Sequence, residues 1–280
     1  MLDVPPTIGL EVTDDALLGG RVRYTQPASG YRVALEAPLL ARFAVAGRAR
    51  PFGHVVDLGA GPGAIGLVLA VTGWATTVDA VEVDEEHAAL ARRNAEDNGV
   101  SSRLRVIRAS VEDRDGLREV RAAELVVSNP PWFEPGDGPI ATGERRASAR
   151  ALRSTSLPAL VRAARRLLGR RGRFVVSFPA SRLEELLKIL AEVGLAAKRA
   201  CFVHARATQE AQVVFVEAKV ARGGGLVVEA PVVVRGEGEA YRTETADALW
   251  GRWPSPTSSE TAAAAAKASS GRSGSGSDPA

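Results

Sequence analysis

One short segment of the chain has residue types suited to chemistry on a flat amino group. It is the pentapeptide Ser128–Trp132, with the sequence Ser-Asn-Pro-Pro-Trp. It follows the apolar run Leu125–Val127, which is typical of a buried parallel strand. The two prolines end the strand because neither can donate a backbone hydrogen bond. An amide, a rigid turn and an indole are therefore predicted at the carboxyl end of a strand, where open α/β sheets bind ligands.

These residue types suit group transfer to a planar NH2 group. Such a nitrogen, on an aromatic ring or in an amide, is a poor nucleophile because its lone pair is delocalised. The Asn129 side-chain oxygen and the Pro130 carbonyl can accept both of its hydrogens and favour a localised lone pair. Trp132 can stack on a planar target, which for a nucleobase is worth about 1–3 kcal/mol. The alternative interpretation of the pentapeptide is a simple turn after a strand, with its tryptophan buried.

A second motif upstream favours the functional interpretation. A short apolar strand runs into Asp57–Gly63, which contains glycines at positions 59, 61 and 63, and a helix is predicted directly after it. Glycine tolerates positive φ and lets a ligand approach the backbone. The spacing differs from the dinucleotide fingerprint, whose third glycine comes one residue later. The next strand contains Glu82 near its end, where a carboxylate can accept hydrogen bonds from ribose hydroxyls.

Strands and helices alternate through the middle of the chain. Helices are predicted over residues 33–45, 64–71, 85–98, 157–168 and 181–193, the last capped by Ser181, and strands over residues 54–58, 78–84, 104–108, 125–128, 173–178, 198–203 and 212–217. This order, with two consecutive strands at its end, predicts an α/β fold. The expected architecture is a doubly wound, mostly parallel, seven-stranded Rossmann-like sheet with one antiparallel strand near its edge.

Composition excludes several classes of protein. The chain has 280 residues, and its single cysteine, Cys201, rules out an intrachain disulfide. Its three histidines form no cluster with the spacing of metal ligands, so no metal is expected. No apolar run reaches the roughly 18 residues of a membrane span, and the first residues do not resemble a secretory signal. We therefore expect a cytoplasmic protein.

Arginine is concentrated between residues 142 and 173. Ten arginines stand there against a single acid, Glu144, although the formal net charge of the whole chain is only +3. Arg145, Arg146 and Arg150 follow the pentapeptide closely, and we predict that they bind RNA by holding phosphates without reading sequence. A solvated helix face is the alternative interpretation.

The two motifs together resemble the class I S-adenosylmethionine (SAM)-dependent methyltransferases that act on amino nitrogens. Three further stretches, Asp15–Gly20, Gly30–Arg32 and Gly225–Pro231, restrict the resemblance to one family within this class. With them, residues 10–250 are similar to the bacterial tRNA1(Val) (adenine(37)-N6)-methyltransferase family. The chain departs from this family at Ser110, where many relatives have an acidic residue.

The resemblance implies a role for each matching residue. Asn129, Pro130, Pro131 and Trp132 would form the catalytic segment, with the first two holding the target amine and Trp132 stacking on the base. The residues implied to bind SAM are Asp57, Gly59, Ala60, Gly61, Gly63, Glu82, Val83, Ser110, Asn129, Gln26 and Tyr31. Among these, Glu82 would hold the ribose, while Gln26 and Tyr31 would close the pocket from the N-terminal side.

The implied activity is methylation of the N6 atom of adenine 37 in the anticodon loop of tRNA1(Val), by a monomer using SAM. Two other enzymatic interpretations remain open, N5-methylation of a protein glutamine and N2-methylation of an rRNA guanine. A non-enzymatic interpretation is a SAM-binding module that binds RNA. The predicted parts of the chain are an N-terminal substrate-side arm (1–50), the SAM-dependent methyltransferase domain (51–220), an appended β ribbon (221–253) and a disordered tail (254–280).

Overall fold

The computed structural model describes residues 10–29, 35–130, 156–220 and 225–236, together with residues 240, 245, 253, 254 and 256. Its helices are α1 (Glu36–Val45), α2 (Ala64–Val71), α3 (Glu85–Asp97), α4 (Leu157–Leu167) and α5 (Leu183–Glu192). Its strands are β1 (Val12–Leu17), β2 (Val22–Pro27), β3 (Phe52–Leu58), β4 (Ala75–Glu82), β5 (Leu104–Arg108), β6 (Ala123–Ser128), β7 (Leu168–Pro179), β8 (Leu195–Arg206), β9 (Ala211–Val220), β10 (Val227–Val228) and β11 (Val232–Arg235).

The central sheet confirms the predicted fold class. Its strand order is β10-β8-β9-β7-β6-β3-β4-β5, and β11 also pairs with β8. The strands from β7 across to β5 are parallel to their neighbours. Strand β9 runs antiparallel to both β7 and β8, so the predicted antiparallel strand lies one position in from β8. The seven predicted strands are all present, and β10 and β11 extend the sheet beyond them.

Helices cover both faces of the sheet because strand residues alternate between two hydrophobic clusters. Val55 packs with α1 and α2 in one cluster. Its neighbour Val56 packs with α4 and α5 in the other. This is the doubly wound arrangement that the alternation of elements predicts. Within the described residues, no helix is both long and apolar enough to cross a membrane.

The antiparallel strand β9 carries a fully buried carboxylate, Glu217. Its Oε2 accepts hydrogen bonds from Arg173 on β7 at 3.0 Å and from Arg199 on β8 at 2.9 Å. Burial alone would raise the pKa of Glu217, but these arginines and Lys219 hold that pKa below its ordinary value. Glu217 therefore joins three strands of the sheet. Its partner Arg173 is engaged inside the sheet, although its place in the sequence puts it among the concentrated arginines of residues 142–173.

Two local features differ from the prediction. The strands β10 and β11 each pair in parallel with β8, at Val227 with Arg199 and at Val232 with Val203, and form no ribbon with each other. Ser181 lies in a 3-10 turn that precedes α5, which begins at Leu183 without a side-chain cap. A serine before an apolar periodic segment is typical of a helix cap, but here Ser181 forms part of the 3-10 turn Ala180–Arg182.

The segment around residue 254 also differs from the predicted disordered tail. The Pro254 carbonyl accepts a hydrogen bond from the buried Trp74 Nε1. Trp253 is itself buried in the cluster that contains α1 and α2. A Pro/Ser/Thr-rich sequence gave no sign of this packing, because the buried anchor is a single tryptophan just before it.

Candidate active site

The glycine turn that follows β3 closes over the end of β4. The backbone N–H groups of Gly59 and Ala60 both donate to the Val81 carbonyl at 2.9 Å. Gly59, Gly61 and Gly63 have φ values of 72°, 56° and 86°, which residues other than glycine rarely adopt. A Cβ placed on Gly59 or Gly61 would meet no atom within 4 Å. Open space therefore lies over the turn, on the side where a ligand would sit.

The helix after the turn packs closely against the sheet because of a glycine that the sequence analysis did not single out. A Cβ on Gly66 would lie 2.9 Å from the Val78 side chain and 3.3 Å from Asp57 Oδ2. The Gly66 N–H donates to that same Asp57 oxygen at 2.8 Å. Only glycine at this position lets α2 approach the carboxylate so closely. The sequence does contain a signal for this close packing, because Gly66 is the fourth glycine within residues 59–66.

Asp57 is almost fully buried at the end of β3, with 1% of its surface exposed. Its pKa is raised to about 7, chiefly by burial and to a smaller extent by the neighbouring charge of Glu82, while the hydrogen bond from Gly66 acts in the opposite direction. A carboxyl group in this state is poised to become fully ionised when a cationic group binds beside it.

Glu82 holds the turn from the end of β4. Its Oε2 accepts from the Gly61 N–H at 2.7 Å and its Oε1 from the Asp84 N–H at 2.9 Å. Each carboxylate oxygen keeps a second acceptor position for a ligand hydroxyl. Val83 beside it is 39% exposed, so an apolar surface adjoins the carboxylate. Ser110, at the end of β5, accepts a hydrogen bond from the Glu112 N–H at 3.2 Å.

Asn129 lies one strand away from the glycine turn. The parallel register of β3 and β6 places Asp57 opposite Val127. Ser128, fully buried, donates its hydroxyl to the Leu58 carbonyl at 2.6 Å. Asn129 and Gly59 are thus the first residues beyond two adjacent strands, whose backbones are roughly 5 Å apart in any sheet. The two motifs predicted from the sequence meet at one edge of the sheet.

A serine that the sequence analysis did not identify supports Asn129. Ser177 is buried near the end of β7, with 4% of its surface exposed. Its hydroxyl donates a hydrogen bond to Asn129 Oδ1. The signal in the sequence was one polar residue inside the apolar run Phe174–Phe178, but its partner becomes apparent only from the pairing of β6 with β7.

On the N-terminal side, Gln26 is buried at the end of β2 and its Nε2 donates to Asp15 Oδ2 at 2.8 Å. The remaining predicted site residues lie outside the described residues. They are Tyr31 of the N-terminal arm, Pro131 and Trp132 of the pentapeptide, and Arg145, Arg146 and Arg150 of the basic stretch.

Comparison with known proteins is consistent with this geometry. The tRNA1(Val) (adenine(37)-N6)-methyltransferase of Klebsiella pneumoniae strain 342 is 46% identical over 93 residues, which are 33% of this chain and 37% of that protein. The chain thus matches little more than a third of that relative's length. The enzyme of the same name from Aeromonas hydrophila is 30% identical over 211 residues, covering 75% of this chain and 85% of that protein.

Among solved structures, a predicted O-methyltransferase from Agrobacterium tumefaciens superimposes with a TM-score of 0.57 at 24% identity, covering 76% of this chain and 94% of that one. This likeness shows the fold. The model of the methyltransferase small domain matches residues 38–202, which include both strand-end motifs. The chain belongs to the methyltransferase small domain family.

Proposed function

We propose that the protein is a SAM-dependent methyltransferase that methylates the exocyclic N6 atom of an adenine in tRNA. The observation that carries this proposal is the position of Asn129 and Pro130 directly after β6, the strand next to the one that leads into the glycine turn. Family membership supports methyl transfer. The name shared by the Klebsiella and Aeromonas relatives supports adenine 37 of tRNA1(Val) as the specific target.

The residues around the turn fit SAM. Asp57 offers a buried carboxyl group to a cationic group of the cofactor, and Glu82 retains acceptor positions for the ribose hydroxyls. Val83 offers an exposed apolar surface to the adenine ring. Gly59 and Gly61 leave room for a ligand against the backbone. When bound, SAM supplies a methyl group that its positively charged sulfur makes reactive toward a nucleophile.

The part played by the protein is to hold the target nitrogen. Asn129 Oδ1 and the Pro130 carbonyl accept its two hydrogens, which keeps the nitrogen pyramidal and its lone pair directed outward. The Ser177 hydroxyl donates to Asn129 Oδ1, and this bond supports the proposed role of that oxygen as an acceptor for the target amine. Positioning of this kind can supply much of the rate without a metal or a strong general base. Trp132 would stack on the base.

An adenine in an anticodon loop is unpaired, so presenting it to the site costs less than flipping a base out of a duplex. The basic stretch supports binding of the surrounding phosphates, with Arg145, Arg146 and Arg150 as the proposed contacts. We propose that the protein acts as a monomer in the cytoplasm. Affinity for RNA should then fall as salt concentration rises, because phosphate contacts release counterions.

The test is to incubate the purified protein and labelled SAM in three parallel reactions, which contain total tRNA, rRNA or a glutamine-containing peptide. Label in tRNA, found as N6-methyladenosine after digestion, is the expected result. Label in the peptide or as a methylated guanine would establish one of the alternative reactions. SAM binding with no transfer to any of the three would support a binding module.

Asn129→Ala is the control for contaminating methyltransferases. It should abolish transfer and leave SAM affinity within about twofold, because the side-chain oxygen of Asn129 holds the target amine, while Asp57 and Glu82 supply the main polar contacts proposed for the cofactor. Transfer by this variant at the wild-type rate would remove Asn129 from the catalytic role.

A further inference from the structure

Two asparagines, Asn94 in α3 and Asn98 directly after it, bind the free edge of the N-terminal hairpin. Asn98 accepts from the Arg23 N–H at 2.9 Å and donates to the Arg23 carbonyl at 2.7 Å. One helical turn earlier, Asn94 accepts from the Thr25 N–H at 2.7 Å and donates to the Thr25 carbonyl at 2.9 Å. Each side-chain amide thus pairs with β2 as the backbone of a neighbouring strand would. The hairpin is held to α3 by two successive rungs.

The two asparagines differ in the use of their remaining N–H. In Asn98 it returns to its own helix, donating to the Asn94 carbonyl at 2.7 Å. In Asn94 it crosses to the glycine turn, donating to the Pro62 carbonyl at 2.9 Å. Asn94 is only 1% exposed, and all three of its hydrogen-bonding groups are used. One buried amide therefore joins the hairpin and the turn.

We propose that Asn94 is a positioning residue that couples docking of the N-terminal hairpin to the conformation of the glycine turn, and thereby to cofactor affinity. The inference rests on the proposed function where it concerns SAM. Pro62 stands between Gly61, whose N–H is held by Glu82, and Gly63, whose φ is 86°. Glycines on both sides leave the turn free to adopt other conformations, so an external anchor has an effect there.

The coupling must act in both directions. If a docked hairpin favours the conformation of the turn that binds SAM, then binding at the turn stabilises the docked hairpin by the same free energy. Removing Asn94 breaks both connections at once. Removing Asn98 loosens the hairpin by one rung and leaves the connection to Pro62 in place. This makes Asn98→Ala the matched control.

The first experiment measures SAM affinity by calorimetry. We expect Asn94→Ala to weaken binding about tenfold, the effect of losing a buried hydrogen bond, and Asn98→Ala to change it by less than about twofold. Equal weakening in both variants, or none in Asn94→Ala, would overturn the proposal. If the wild type itself binds no SAM, the proposed function fails, and the second experiment still decides this inference.

The second experiment uses hydrogen exchange without cofactor. Peptides covering residues 57–66 should exchange faster in Asn94→Ala than in the wild type, and at the wild-type rate in Asn98→Ala. Unchanged exchange of the turn in both would contradict the coupling.

A third measurement tests the reverse direction of the coupling, from ligand to hairpin, and its first half uses the wild type alone. Addition of S-adenosylhomocysteine to the wild type should slow exchange in residues 10–23, a range that excludes the predicted cofactor contact Gln26, and this protection should be lost in Asn94→Ala. Protection that persists without Asn94 would mean that the hairpin touches the ligand directly, which would overturn the assigned route.

Discussion

At the scale of single residues, the reactivity assigned to Asn129 depends on which end of its amide faces the target. The hydroxyl of Ser177 donates to Asn129 Oδ1, which stabilises the orientation in which the amide oxygen is the acceptor. Without it, the amide could rotate and present its NH2 group, which repels an amine's hydrogens. Ser177 is thus a positioning residue that acts through Asn129.

We predict that Ser177→Ala lowers kcat for tRNA methylation about fivefold to tenfold, as expected for one lost hydrogen bond. The Kd for SAM should stay unchanged, and Ser177→Thr should restore much of the rate because it keeps the hydroxyl. Steady-state kinetics with tRNA and calorimetry with SAM separate the two effects. A Ser177→Ala variant with wild-type kcat, or with SAM affinity reduced in parallel, would contradict the assigned role.

Asp57 gives a prediction for the dependence of stability on pH. Burial raises its pKa to about 7 in the folded protein, against about 3.9 in an unfolded chain. Between these values the folded state binds more protons than the unfolded state. The free energy of unfolding should therefore fall as pH rises from about 4 to about 7, and this contribution should level off above about 7.

Other shifted carboxyl groups act in a different range. Glu217, for example, has a pKa below its ordinary value, so its contribution is lost only under more acidic conditions. Urea unfolding at about pH 5, 6 and 7 should show a downward slope in the wild type and a flatter one in Asp57→Asn. Identical slopes would mean that Asp57 is ionised throughout this range in the folded protein.

At the scale of elements, local patterns in the sequence predicted what depends on neighbouring residues. The helix predicted over residues 64–71 has those bounds in the structure. Glycine spacing likewise predicted the turn after β3, because positive φ is a property of the residue itself. The doubly wound, mostly parallel class of the sheet followed from the alternation of strands and helices, whereas its strand order was not predicted.

Features that depend on which elements meet were beyond the sequence. In the sequence, Asn94 is one of several polar residues on a predicted helix, and its neighbours along the chain do not indicate that β2 packs beside it. Arg173 reads as part of a basic stretch, because its partner Glu217 lies on a strand 44 residues away. The valines of β10 and β11 suggested a ribbon, whereas the free edge of β8 offered a longer partner. In each case long-range pairing decided the outcome.

At the scale of the whole molecule, segments that precede and follow the main sheet in the sequence pack into one hydrophobic cluster. Leu18 and Tyr24 of the hairpin and Trp253 near the other end all belong to the cluster that contains α1 and α2. The fully buried Trp74 also belongs to it, and its indole N–H is satisfied by the Pro254 carbonyl. The helices that support the glycine turn are thus covered by segments distant in sequence.

Stability should therefore depend on the packing of Trp253, which is 7% exposed and lies under Arg42, whose guanidinium carbon is 5.9 Å from the ring centroid. We predict that Trp253→Ala lowers the free energy of unfolding by about 3 kcal/mol, the usual cost of emptying a buried aromatic site. Guanidinium unfolding followed by circular dichroism measures this change. A chain shortened by removing residues 257–280, within the predicted disordered tail, is the control and should unfold at the wild-type midpoint. If the shortened chain were destabilised as much as Trp253→Ala, the stabilising contacts would extend beyond this tryptophan into the tail, and Trp253 would not be the anchor that closes the cluster.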